Sequence, residues 1–169
     1  RDDGAQEILW IGQRRMSGAR LHAMPDLRPV RIRAGAIDNG RPDADLIVSP
    51  DHRMLVTGPR AQALWGEPEV LIAARDLIDD TSVLRDQELR SVSYIHLLLP
   101  RHQIVTANGM ETESFHPGDA DLDMVLPDQR QQLFDVLPQV ARDADAYGAR
   151  ARRVLGTYEA AMLTGTALH

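Results

Sequence analysis

The sequence predicts a mainly β domain followed by an α-helical extension. Short apolar runs alternate with turn-forming residues from residue 7 to about residue 118, and no long helical pattern interrupts them. Asn108-Gly109 stands after such a run as a hairpin turn, and Asp3-Gly4 has the same chemistry. From Pro127 the pattern changes. Apolar residues there recur at helical spacing, most clearly at Ala151, Val154, Leu155, Tyr158 and Met162. The chain therefore divides into a β domain over 1–118 and an acidic linker with a helical extension over 119–169.

In chain order, Glu7-Ile8-Leu9-Trp10-Ile11-Gly12 reads as a strand ending at its glycine. Asp3-Gly4 is a hairpin signal with only Arg1-Asp2 before it, so the partner strand is expected to lie outside the chain. Residues 13–29 read as loop or edge. Val30-Arg31-Ile32-Arg33 alternates with period two, as a half-buried strand does. Leu46-Ile47-Val48 and Met54-Leu55-Val56 flank Ser49-Pro50-Asp51, a strand–turn–strand pattern. Residues 58–68 read as a loop, 69–73 as a strand, 74–77 as a helical turn and 79–82 as a turn. Residues 90–99 read as a strand with Val92, Tyr94, His96 and Leu98 on one face, broken by Pro100. Residues 103–107 resume as a strand up to Asn108-Gly109. In the extension, 127–137 suit a helix stopped by Pro138, and 139–147 suit a second with Gly148 as its C-cap. The third helix starts near Ala151, with Arg150, Arg152, Arg153 and Glu159 on its polar face.

Composition narrows the chemistry. With 169 residues, 43% hydrophobic and 26% charged, the chain is of the ordinary globular class. A formal net charge of -6 offers no basic field, so nucleic acid is not an expected partner. No apolar run approaches the roughly 20 residues that span a bilayer, so no membrane partner is expected either. All 19 cationic side chains are Arg, which removes amine nucleophiles and Schiff-base chemistry. There are no cysteines, which removes disulfides, thiolate metal sites and any thiol nucleophile within these residues.

The candidate sites are few. Ser49 and His52 put a hydroxyl and an imidazole across one tight turn, and imidazole is the side chain best suited to proton transfer near neutral pH. The plainer reading is a surface turn in which Ser49 or Asp51 bonds backbone N–H groups, and local chemistry alone favours it. His96 and His102 flank Pro100. If the strands on either side pair as a hairpin, both rings sit near one end, and His52, His96, His102 and His116 could be read as a metal site. Their spacing is no metal signature, and half-buried strand and turn residues fit as well. Asp119, Asp121 and Asp123 resemble a calcium loop, but Met124 and Arg130 stand where that loop needs Gly and Glu, which leaves a solvated acidic linker. No nucleophile elbow, phosphate loop or dinucleotide fingerprint is present.

Taken in order, the pieces form a pattern. They are Trp10-Ile11-Gly12, Pro29-Val30-Arg31-Ile32, Leu46-Ile47-Val48-Ser49-Pro50-Asp51-His52-Arg53-Met54-Leu55, residues 69–77 (EVLIAARDL), residues 94–109 (YIHLLLPRHQIVTANG) and Glu113-Ser114-Phe115. This order and spacing resembles the bacterial branch of the Hedgehog/intein (Hint) domain family over most of residues 1–118, and residues 151–160 (ARRVLGTYEA) resemble the extension found in that branch.

The resemblance implies a horseshoe-like, all-β fold that processes its own polypeptide. In the family an N-terminal Cys attacks the preceding carbonyl, and a second nucleophile resolves the thioester. A T-x-x-H motif activates the scissile bond, and it reads Ser49-Pro50-Asp51-His52 here. His96 falls near an acidic position of inteins, and His102 begins a segment similar to the family's HNF…ANG. The resemblance thus implies Ser49, His52, His96 and His102 as catalytic residues, no cofactor or metal, and the chain's own upstream polypeptide as substrate. Two departures qualify it. Glu113-Ser114 follow the hairpin where inteins carry the terminal His-Asn, so splicing is not expected. The family's catalytic Cys and first strands are absent, so this polypeptide alone is expected to be inactive and to leave sheet edges that the tail covers or that self-associate. The alternative is a non-catalytic binding or accessory module of a larger secreted protein.

Overall fold

The computed structural model describes residues 1–37, 40–122 and 125–165. Its strands and helices, in chain order, are β1 (Trp10–Ser17), α1 (Gly18–Ala23), β2 (Val30–Ile32), β3 (Leu46–Val48), β4 (Arg53–Thr57), α2 (Pro59–Trp65), β5 (Glu69–Ala73), β6 (Val83–Arg85), β7 (Ser91–Leu98), β8 (Ile104–Ala107), β9 (Met110–Glu113), α3 (Pro127–Val136), β10 (Arg153–Val154) and α4 (Thr157–Thr164). The protein is mainly β with a helical extension. Among the described residues the strands form three sheets: a β1-β7 ribbon, a five-stranded sheet in the order β10-β5-β4-β9-β8, and a three-stranded sheet in the order β3-β2-β6.

Alternation makes these strands. Val30 and Ile32 on β2, and Leu46 and Val48 on β3, point into one core with Met54 of β4 and Val83 of β6. Each such side chain contributes roughly 1.5–3 kcal/mol by leaving water. The stretch 46–56 is not a hairpin. β3 pairs with β2, whereas β4 pairs with β5 and β9. The turn at 49–52 therefore carries the chain from one sheet to another, and the shared core holds the two sheets together. Backbone N–H groups of Ala74 and Arg75 donate to the carbonyls of His52 and Pro50 at 2.9 and 3.0 Å, which staples the turn to the end of β5.

Asn108-Gly109 does close a hairpin, between β8 and β9. Both residues have positive φ, 48° and 76°, as a two-residue turn matched to strand twist requires. Gly12, by contrast, ends nothing. β1 continues to Ser17, because a Cβ at Gly12 would lie 2.0 Å from Trp10 Cη2; the glycine lets the indole lie over the strand. Residues 58–68 fold as α2 rather than as a loop, with Pro59 at its first turn and Gly66 as a left-handed cap. β7 and β8 on either side of Pro100 do not pair: β7 pairs with β1, and β8 with β9. Asp3-Gly4 is a turn, and pairing along β7 starts at Leu9, whose N–H donates to the Leu98 carbonyl at 2.8 Å.

The C-terminal segment differs most from the expectation. Residues 139–147 form two short 3-10 turns. Residues 153–154 are extended, not helical, and β10 adds parallel to β5. The Leu155 N–H extends this contact to the Leu71 carbonyl at 2.9 Å. α4 starts only after Gly156, whose N–H donates to the Glu159 carboxylate at 3.0 Å. Starting late turns the helix: Ala160 and Leu163 face the core with Leu155, Val70 and Ile72, while Tyr158 and Met162 face solvent. The tail thus occupies the outer edge of β5.

Candidate functional site

His52 sits at the end of the inter-sheet turn, and its backbone N–H donates to the Ser49 carbonyl at 3.1 Å. The hydroxyl that meets its ring belongs to Thr112 on β9, not to Ser49. Thr112 Oγ1 lies 2.5 Å from His52 Nε2 and donates to the Arg53 carbonyl at 2.7 Å. A threonine hydroxyl has one proton, and that proton goes to the carbonyl. His52 Nε2 must therefore be the donor to Thr112, which leaves Nδ1 unprotonated. Burial pushes the His52 pKa down, and Arg53 and His102 push the same way, against the Glu113 charge. His52 is a neutral imidazole of fixed tautomer.

His96 lies on the inner face of β7, opposite Gly12, and packs on Phe115 with ring centroids 4.9 Å apart. Burial, with the Arg14 charge adding to it and His52 close by, pushes its pKa down to about 4. The structure thus places His52 and His96 within electrostatic range of each other. The link between them is the β9 exit: Thr112 touches His52, and Phe115 stacks between His96 and Trp10.

His102 is buried, and both its ring nitrogens serve backbone groups. Nδ1 accepts from the Ala151 N–H at 2.9 Å, and Nε2 donates to the Ser114 carbonyl at 3.1 Å. His116 repeats the arrangement, with Nδ1 accepting from Gly118 and Nε2 donating to the Gly148 carbonyl at 2.9 Å. The two rings meet edge to face, 5.2 Å apart. These commitments leave no lone pair for a metal, and among the described residues no group of three or more His, Asp or Glu side chains could hold one. Among the described residues the four histidines do not come together as a metal site. Asp119 is spent on Arg53 and Arg150, at 2.7 and 2.8 Å, which also disposes of its part in a calcium loop; Asp123 and Met124 lie outside the described residues.

An ionic chain runs from the buried Glu113 behind the site to the surface. Glu113 accepts from the Arg53 N–H at 3.0 Å and from its guanidinium at 3.2 Å, and lies 3.3 Å from His102 Nε2. Arg53 continues to Asp119, and Asp119 to Arg150. Neither Thr112 nor Glu113 carries a local signal of this role. The available hint was alternation along Met110–Glu113, which could have shown a strand but not which strand it meets.

A Hint domain family model matches residues 1–119 of the 169. The chain belongs to the Hint domain family. No similarity was found to a curated protein or to a solved structure. The matched region of this Hint domain contains His52, His96, His102, Thr112 and Glu113. The segment beyond it contributes the Ala151 and Gly148 backbone groups that hold His102 and His116.

Proposed function

We propose that this Hint domain carries the proton-transfer part of an autoprocessing site, whose substrate is the polypeptide joined to its own N-terminal side. What supports the reading most is the His52 ring, with its proton held on Nε2 by Thr112 and its Nδ1 lone pair free of that bond. A neutral imidazole can take the proton of an attacking thiol and return it to a departing nitrogen. The thiol belongs to a cysteine in the preceding segment. Its sulfur bonds to the carbonyl carbon before it, the C–N bond breaks, and the thiol proton ends on the freed amine. Water or a second nucleophile then takes the acyl group from the thioester.

In this reading Ser49 shapes the turn that presents His52, and His96 is a second neutral imidazole in range. His102 is a positioning residue that holds the Glu113-Ser114 backbone. With Glu113-Ser114 in place of His-Asn, the outcome is cleavage without splicing. The test uses the full-length protein with its natural upstream segment. His52→Ala should slow cleavage, and its capture by hydroxylamine, by about 100-fold or more. Cleavage at the wild-type rate would reject the reading and favour a non-catalytic accessory module.

A further inference from the structure

The inner face of β1 carries Trp10, Gly12, Arg14 and Met16 in alternation. Trp10 and Met16 are buried and apolar, and Gly12 makes room for the Trp10 ring. Arg14 breaks this pattern with a half-buried cation. Residues that break a local rule concentrate at functional sites. Its partner across the ribbon is Tyr94, and His96 is its diagonal neighbour on the same face. Diagonal Cβ atoms stand about 7–8 Å apart, within reach of a long side chain.

Arg14 also differs from four half-buried arginines that carboxylates hold. Arg31 is held by Asp45 and Asp86, Arg53 by Glu113 and Asp119, Arg150 by Asp119 and Asp145, and Arg152 by Glu69 and Asp2. Among the described residues, Arg14 has no carboxylate or carbonyl within hydrogen-bond distance. The charged and titratable groups it feels are Arg20, Asp121 and Tyr94, and its own charge is felt at His96. A guanidinium drawn partly out of water with no anion on it is an interaction held in reserve, costly until an anion arrives.

We infer that Arg14 is the oxyanion-stabilising residue of this site. The assignment rests on the autoprocessing reading above. When the thiol adds to the scissile carbonyl, the S–C bond forms and the π pair moves onto oxygen. Arg14 neutralises that oxygen. As the intermediate collapses, the pair returns, the C–N bond breaks, and the nitrogen takes the proton that left the thiol. A cation placed before the reaction needs no reorganisation when the charge appears, which is why such donors have large effects.

The experiment compares Arg14→Leu, Arg14→Ala, Arg14→Lys and His52→Ala in the full-length protein with its native upstream segment. Arg14→Leu should cleave about 100- to 1000-fold more slowly with its melting temperature kept, Arg14→Lys should recover part of the rate, and millimolar guanidinium should accelerate Arg14→Ala where urea does not. NMR titration of His96 should move upward in Arg14→Leu and stay near its wild-type position in Arg14→Lys, which keeps the charge while trimming the side chain. Should Arg14→Leu fail to fold, Arg14→Gln carries the same comparison. A folded Arg14→Leu or Arg14→Gln protein that cleaves within threefold of wild type, beside an inactive His52→Ala, overturns this assignment alone. If His52→Ala cleaves normally as well, the autoprocessing reading falls with it.

Discussion

His52 and His96 form one pair of imidazoles, and His102 and His116 form another. All four are at least partly buried and lie along the same run of chain contacts, yet their ring nitrogens are used differently. In the second pair every nitrogen is spent on a backbone N–H or carbonyl. In the first, His52 uses one nitrogen on Thr112, and His96 stacks on Phe115. A ring with both nitrogens committed is a structural cross-link, here between the Hint fold and its C-terminal segment. A ring with an uncommitted lone pair can exchange a proton. The number of spent nitrogens separates the two kinds of histidine where sequence spacing cannot.

The sharpest way to break that distinction is His102→Ala. It leaves a cavity and deprives the Ala151 N–H and the Ser114 carbonyl of their partner, so stability should fall by about 4 kcal/mol. Denaturant unfolding would measure this, and faster hydrogen exchange at Ala151 would show that the tail contact is the one released. A loss under 1 kcal/mol would mean that His102 is not a cross-link. The next effect is acid sensitivity from His96. Its folded pKa is about 4 against about 6.5 unfolded, so between those values the unfolded chain binds a proton that the folded chain refuses. Stability is then full above about pH 6.5 and declines by about 3 kcal/mol as the pH falls towards 4. His52 and His116 add in the same direction, because burial depresses them too. His96→Gln should flatten the profile in that window; an unchanged slope would remove His96 from the buried set. The smallest effect is Thr112→Val, which frees the His52 tautomer while keeping the strand. Autocleavage in the full-length protein should slow about tenfold, or about 1.4 kcal/mol, and stability should fall by about 1 kcal/mol for the Arg53 carbonyl and His52 Nε2 left without their partner.

The strands of the β region were largely legible, because period-two burial on Val30–Ile32, Leu46–Val48 and Ser91–Leu98 reads directly from residue type. Asn108-Gly109 was legible for the same reason, since few residue pairs tolerate two positive φ values. The tail was misread where a local pattern met a tertiary one. Ala151, Val154 and Leu155 keep helical spacing, but β5 has an open edge there, and pairing with it outweighs the modest helix propensity of a short segment. Gly156 then resets the helix by a few residues and reverses which side chains are buried.

The amino-acid sequence by itself determined the mainly β class, the family, and the presence of His52 after a Ser-Pro-Asp turn, since these depend on residue type and short spacing. Only the tertiary structure decided that this turn joins two sheets rather than closing a hairpin. It also decided that Thr112, 60 residues away, sets the His52 tautomer, and that His102 is tied to Ala151. The physical reason is range. Periodicity and turn chemistry act over a few residues, whereas the state of a histidine's proton is set by whichever groups packing brings to its two nitrogens.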